Sequence, residues 1–590
     1  MKKIISRCMA VLLTVAMILT MSMTAFASEG TSKAVAAATG KLTVNNTVAG
    51  KKLDLYQIFT AVNANGSVLY TLNTAYKEFF NGKVTVSDDS DETFSKAAYE
   101  YVKTQVGEDT KESNGATFAK ELLTWILDSA NSITAFKENV ETTETITEIT
   151  GLPYGYYLVY PEGATDTSSA PGGQGYTSVA SLVSVTGDDA QINMKSNYPT
   201  VDKKLIPAQS GSGLTVGDIV NSSWESIHQG ELEDENDAED TIAPHGVATG
   251  ESKNAADFAI GGTVTYQLTS KVPDMTGYNS YTFNFIDTLS KGLDLKEILS
   301  VKVGDKELKA GATGDYTYLP TYATNSDGTD GTHTLTIKFN DFYKLYKDLT
   351  GTSITVVYTA TLNKDAVIGM NPNTNKAIVE YSNKPGTDET GKSKPSEVDV
   401  HTFDFKIFKH YLTGETKNPL EGAEFELYKA NTEENNKVKI IRDADGTYRQ
   451  ATPEEAKVEG FEFAVIKSGT DGYAHVKGLE AGTYFLRETR APEGYNKLTG
   501  DIKITITAVY DENSGKLTKY FVTYKYGDAD EITGVDITTV DNHPEVPVEN
   551  KAGAQLPSTG SKGALMVTLA GIVLFGALTV SKAFRKRKAD

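Results

Sequence analysis

Apolar and polar residues alternate with period two over most of this chain. Clear runs are Thr263-Val264-Thr265-Tyr266-Gln267-Leu268, Ile354 to Tyr358 and Tyr520 to Tyr524, with clusters of turn-forming residues between them. Period two marks a strand with one buried face. Strands of this kind cover their apolar faces by packing sheet on sheet, so the pattern predicts a mainly β chain of tandem β-sandwiches. Two segments depart from it. Phe94 to Gln105 and Thr117 to Ser129 repeat their apolar residues at helical spacing, which predicts a helical insertion in the first sandwich.

The two ends carry longer apolar runs. Lys2, Lys3 and Arg7 precede the run Val11 to Leu19 and the small-residue site Ala25-Phe26-Ala27, the order of a secretory signal peptide cleaved after Ala27. That run is short for a membrane anchor, and no stop-transfer charges follow it. Ala564 to Val580 is followed by Lys582, Arg585, Lys586, Arg587 and Lys588, which predicts a transmembrane helix with its basic tail held inside.

Export changes what composition implies. The single cysteine, Cys8, lies in the signal, so the mature chain has no thiol and no disulfide. Its durability must come from its cores or from another kind of cross-link. Removing the signal and everything after Thr559 takes nine of 57 basic residues and one of 78 acidic ones, leaving 48 − 77 = −29. A body this acidic argues against nucleic acid or an anionic membrane as partner.

Residues 28–559 are too many for one core, and three domains are expected. The extended stretch Ser196-Asn197-Tyr198-Pro199-Thr200 and the polar run Ser382 to Pro395 read as linkers. The division is a signal peptide (1–27), a first sandwich (28–196), a second (197–398), a third (399–553) and a terminal segment (554–590). An internal echo relates the first and third. Gly155-Tyr156-Tyr157-Leu158 resembles Gly482-Thr483-Tyr484-Phe485, and Leu53-Asp54-Leu55-Tyr56 resembles Phe425-Glu426-Leu427-Tyr428. The acidic run Glu231 to Asp240 lacks the alternating ligands and central glycine of a calcium loop, and reads as a solvated insertion. The seven histidines, His228, His245, His401 and His410 among them, show no metal-ligand spacing and no nucleophile or triad, and read as surface or turn residues. Neither a metal nor a cofactor is expected.

Leu556-Pro557-Ser558-Thr559-Gly560, followed by the apolar segment and basic tail, is similar to a cell-wall sorting signal of the LPXTG type. Tyr484-Phe485-Leu486-Arg487-Glu488-Thr489-Arg490-Ala491-Pro492-Glu493-Gly494-Tyr495 resembles the E-box of Gram-positive sortase-assembled pilins. Pro199-Thr200-Val201-Asp202-Lys203-Lys204 and Asn373-Thr374-Asn375-Lys376-Ala377 look like parts of the isopeptide-forming second domain of fimbrial major subunits. The resemblance implies immunoglobulin-like, Cna-type sandwiches in a cell-wall-anchored pilus shaft subunit. It also implies a sortase whose cysteine attacks the Thr559 carbonyl and expels Gly560, leaving a thioester for an amine to capture. The expected partners are that sortase, neighbouring pilin subunits, peptidoglycan and a host surface ligand.

The resemblance further implies internal Lys–Asn isopeptide bonds. Burial favours the neutral lysine amine that can attack an amide, and a nearby buried carboxyl can serve as acid and base. In the third domain the roles fall to Lys409 as nucleophile after the alternating strand Phe403 to Phe408, Glu488 as acid and Asn550 as acceptor amide. In the second they fall to Lys203, Asp287 and Asn375, with Asp287 ending the strand Tyr281 to Ile286 and Asp274 as competing acid. Alternation puts Lys203 on the face of Val201 and Leu205, and Lys204 on that of Asp202. The first domain has Pro161 where its echo of the third would place Glu488, so no such bond is expected there.

One element departs from the family pattern. Where a polymerising lysine is expected in a Tyr-Pro-Lys motif, this chain has Tyr198-Pro199-Thr200, with Lys195 and Lys204 nearest. Lys195 is the expected acceptor. A monomeric adhesin joined to peptidoglycan through Thr559 is the rival to the shaft reading.

Overall fold

The computed structural model describes residues 38–64, 67–88, 90–107, 115–165, 178–194, 198–206, 255–324, 330–460, 462–511 and 515–553. The signal peptide, Lys195, the Glu231 to Asp240 run with His228 and His245, Leu556 to Gly560 and the terminal apolar segment lie outside the described residues.

Pairs of sheets follow one another along the chain. In the first unit, Thr39–Thr47 pairs with Thr145–Pro153 and Ala190–Asn193. A second sheet runs in the order Ser67–Leu72, Lys52–Ala64, Gly155–Pro161, Ser181–Val185, with Lys137–Glu141 added to Lys52–Ala64. Leu42 and Val44 of one sheet meet Leu53, Leu55, Tyr157 and Val159 of the other in a shared core. The opposite face of Lys52–Ala64 presents Tyr56 and Ile58 to a second core, where they meet Phe94, Ala98 and Val102 of helix Asp91–Val106 and Phe118, Leu122 and Ile126 of helix Gly115–Leu127. The strand is therefore buried on both faces, as a sheet covered by helices on one side must be. Ser90 caps the first of these helices, its hydroxyl accepting from the Thr93 amide, with Asp91 and Glu92 in the first turn.

The second unit packs two larger sheets around one core that includes Tyr266, Leu268, Phe285, Val356, Tyr358 and Val379. One runs Lys306–Glu307, Leu293–Val303, Ser353–Leu362, Thr263–Lys271, Asp202–Ile206. The other runs Ala255–Asp257, Ser396–His401, Asn373–Ser382, Phe283–Leu289, Asp330–Phe339, Tyr316–Thr324. The run Ser382 to Pro395 is not a plain linker: Thr390–Lys392 folds back onto Asn373–Ser382, and Ser396–His401 continues the same sheet. Asp287 lies inside strand Phe283–Leu289 rather than after it.

In the third unit, Phe403–Thr413 pairs with Thr416–Pro419, Tyr473–Leu479 and, in parallel, Glu545–Glu549. The facing sheet runs Ile466–Lys467, Glu424–Lys429, Gly482–Arg490, Ile502–Tyr510, Leu517–Tyr526, Ile532–Thr533. The echo between the outer units is structural. Leu55 and Tyr56 lie opposite Val159 and Leu158, as Leu427 and Tyr428 lie opposite Leu486 and Phe485. The Tyr157 hydroxyl donates to the Pro153 carbonyl and that of Tyr484 to the Glu480 carbonyl. His401 and His410, read from sequence as surface or turn residues, are instead buried, each with Nδ1 at 3.2 Å from a backbone carbonyl, of Gly369 and Phe408 respectively.

Candidate functional site

Two lysines lose nearly all contact with solvent, each beside one carboxyl and one asparagine. Lys409 lies on the first strand of the third unit, opposite Val548 of the last, and the Asn550 amide continues that pairing by donating to the His410 carbonyl at 3.0 Å. Glu488 reaches them from the facing sheet. Its Oε1 is 3.0 Å from Lys409 Nζ, while its Oε2 accepts from Asn550 Nδ2 at 3.0 Å and from the Leu498 amide at 2.7 Å. One carboxyl thus touches both the amine and the amide nitrogen. Among the described residues Lys409 Nζ makes no well-directed hydrogen bond and Asn550 Oδ1 has no donor, while both side chains meet the same Glu488 carboxyl. Burial pushes the Lys409 amine below its ordinary pKa against the opposing Glu488 charge, and so favours its nucleophilic form.

The second cluster is built across the sandwich. Lys203 of Asp202–Ile206 lies opposite Leu268, Asp287 opposite Ala377, and Asn375 opposite Leu289. Lys203 Nζ donates to both Asp287 oxygens at 2.6 Å and to the Tyr358 hydroxyl at 2.8 Å. Tyr358 donates to Asp287 Oδ2 and accepts from Asn375 Nδ2 at 2.7 Å, so it bridges acid and amide. Tyr266, directly opposite Tyr358, stacks on it at 5.1 Å and lies 4.8 Å beneath Lys203 Nζ. Burial outweighs the Asp287 charge and pushes the Lys203 amine down to about 8. Lys204 faces away, 3.5 Å from Asp202. Asp274 stands apart from this cluster, accepting from the Thr276 amide and hydroxyl in a turn.

The first unit differs. Pro161 occupies the position equivalent to Glu488, and the adjacent Glu162 is buried beside Asp54, where Lys384 of the second unit reaches it at 2.6 Å. Another lysine lies nearby. Lys51 donates to the Tyr381 hydroxyl at 2.7 Å and the Lys392 carbonyl at 3.2 Å, with its ammonium 4.6 Å from the Tyr198 ring centroid. Partial burial, reinforced by the charge of Lys394, pushes it down to about 8. It lines an open cleft with Glu162, Tyr381 and Thr390.

Three family models match the chain. Residues 407–519 match a SpaA prealbumin-like fold domain, 548–590 an LPXTG cell wall anchor motif, and 260–385 the Cna-B-like domain of Gram-positive pilin backbone subunit 2. Over 260–385 the chain is thus similar to the Gram-positive pilin backbone subunits. The chain is 24% identical over 266 residues to the trypsin-resistant surface T6 protein of Streptococcus pyogenes serotype M6, covering 43% of each chain. It is 23% identical over 395 residues to fimbrial subunit type 1 of Actinomyces viscosus, covering 59% of this chain and 66% of that one. The matches thus span less than two thirds of either relative. Among solved structures, the T6 backbone pilin aligns with 88% of this chain and all of its own at 14% identity and a TM-score of 0.42. The major pilin SpaD of Corynebacterium diphtheriae aligns with 78% of this chain and 88% of its own at 18% identity and 0.34.

Three residues of these candidate sites carry no mark in the sequence. Tyr266 and Tyr358 look like ordinary inward-facing strand residues, and only their cross-strand register brings them onto Lys203. Lys51 stands just before the second strand, and only folding brings Tyr198 and Tyr381 to it.

Proposed function

We propose that this chain is a structural shaft subunit of a pilus, joined by a sortase through Thr559 and hardened by isopeptide bonds Lys203–Asn375 and Lys409–Asn550. The observation that carries the reading is the pair of buried lysine, carboxyl and asparagine clusters, because ordinary sandwiches keep such groups at the surface. In each, the neutral amine attacks asparagine Cγ. The Nζ–Cγ bond forms, the Cγ–Nδ2 bond breaks, and Glu488 or Asp287 relays the amine's proton to the departing nitrogen, which leaves as ammonia. In the second unit Tyr358, hydrogen-bonded to both partners, completes the relay. Each site acts once, so the chain is not an enzyme in the turnover sense.

At Thr559 the chain is the substrate. The apolar segment and basic tail hold the pentapeptide at the membrane, beside the transpeptidase. The resulting thioester needs an amine. Lys195 fits by its position in sequence, whereas Lys51 fits by environment: it lines an open cleft, beside Tyr198 of the Tyr-Pro-Thr departure, and burial lowers the pKa of its amine. We favour Lys51. Sequencing the branched peptide from digested fibres decides between them.

Intact mass tests the internal bonds. The purified 28–559 chain is expected to be lighter than its sequence by two ammonia molecules, about 34 Da, and Glu488→Ala is expected to restore one of them. A full-mass chain would end the cross-link reading. A ladder of denaturant-resistant species in wall extracts is the expected sign of a shaft, and a single anchored band would transfer the chain to the adhesin reading, with peptidoglycan as its acceptor.

A further inference from the structure

The strand that carries Lys409 holds another polar cluster near its start. Asp404 is fully buried, and its Oδ1 accepts from the Tyr520 hydroxyl at 2.7 Å. Its Oδ2 meets two imidazoles: His475 Nε2 from strand Tyr473–Leu479, and His543 Nδ1 at 2.6 Å from the turn that leads into Glu545–Glu549. The imidazole rings are 4.7 Å apart, and one ligating atom from each of the three residues lies within 4.8 Å of the others. Both histidines keep a solvent-facing side, 21% and 27% exposed. Among the described residues His543 Nδ1 has no well-directed hydrogen bond.

We propose that Asp404, His475 and His543 bind one divalent transition ion of the zinc type, clipping the turn before the last strand onto the first strand of the third unit. Two imidazole nitrogens and one carboxylate oxygen suit a borderline ion, with water completing a tetrahedron on the exposed side. Calcium and magnesium prefer oxygen ligands throughout. Donors around a tetrahedral ion with bonds of about 2.0–2.1 Å lie about 3.4 Å apart, so the three atoms reach that geometry with shifts of about an ångström. Tyr520, holding the far carboxylate oxygen, supplies the outer hydrogen bond that fixes a ligand's orientation. The strongly acidic chain surface raises the local concentration of cations.

The position gives the clip a role. Phe403–Thr413 and Glu545–Glu549 run parallel, with Asp404 and His543 at one end of the pairing and His410 and Asn550 at the other. An ion that fixes the first end holds the last strand in the register that brings Asn550 to Glu488 and Lys409.

The test uses the 28–559 chain after chelation and dialysis, with Zn(II) as probe and Ca(II) as control, read by native mass spectrometry and titration calorimetry. The expected result is one zinc per chain with a dissociation constant on the order of micromolar or tighter, and no stoichiometric calcium. Tyr520→Phe, which keeps the ring, is expected to weaken zinc at least about tenfold. His475→Gln with His543→Gln is expected to abolish it, while circular dichroism and the thermal unfolding transition of that variant report whether the third unit still folds. Failure to bind zinc, or undiminished binding in a folded double variant, would overturn the proposal and leave the three residues an ion-paired clamp.

Discussion

Lys203 and Lys409 carry the same amine as the many exposed lysines of this chain; what differs is the water removed from around them. With less than 2% of each exposed, the charged form loses its hydration and the neutral form gains in proportion. The Lys203 amine, pushed down to about 8, provides a measurable consequence. In an Asn375→Ala chain the bond cannot form and Lys203 stays free to titrate. Its folded pKa lies below its unfolded one, so the unfolded state binds more protons between the two, and stability rises with pH there. The denaturation midpoint of the second unit is expected to be flat with respect to this lysine below pH 8, to rise from there to about 10.5, and to lose that rise when Lys203 is also changed to Met. Tyr358 gives a separate prediction. Tyr358→Phe keeps the ring stack on Tyr266 but cuts the bridge from Asp287 to Asn375. The second-unit bond is then expected to form at least about tenfold more slowly, within the range of a lost proton relay, as followed by intact mass after refolding.

At the scale of strands and helices, the last strand has the most to lose. Glu545–Glu549 is short and pairs with Phe403–Thr413, so without a covalent tie its end can fray. Asn550→Ala is expected to lower the stability of the third unit by on the order of 5 kcal/mol, the entropy of the loop that the bond would close, with lost hydrogen-exchange protection at Val546 and Val548 as the readout. Periodicity found the strands where one face is buried, as in Leu517–Tyr526, and also Thr263–Lys271, whose polar face is buried too, and the two helices fall where apolar spacing put them. It was less informative at Ser382 to Pro395, because the polar side chains there belong to a short strand on the outside of a sheet and read the same as a linker. Alternation also separated Lys203 from Lys204, although both are buried. What no local pattern could reveal is register across the sandwich. Tyr358 over Lys203, and His475 with His543 on Asp404, meet only after sheets pair, between residues far apart in the chain.

Across the whole molecule, the cross-links and the acceptor amine together decide how tension travels. Between Lys203 and Asn375, and again between Lys409 and Asn550, the proposed bonds let load bypass the folded sheets. The first unit has Pro161 where such a bond would need its acid, so no shortcut of this kind is expected there. If the neighbouring subunit grips Lys195, the pull enters just before Lys203 and the first unit hangs beside the taut line. If it grips Lys51, the pull must thread the first unit from residue 51 to residue 203. Each subunit then stores slack of about 150 residues, about 500 Å when drawn out at roughly 3.4 Å per residue. Single-fibre stretching is expected to show a sawtooth of that spacing, and a fibre that stays rigid to the breaking point would place the load at Lys195. A filament built this way behaves as a mooring line with a spring spliced into every link, giving way under a sudden jerk and reeling back in as the unclasped first unit refolds.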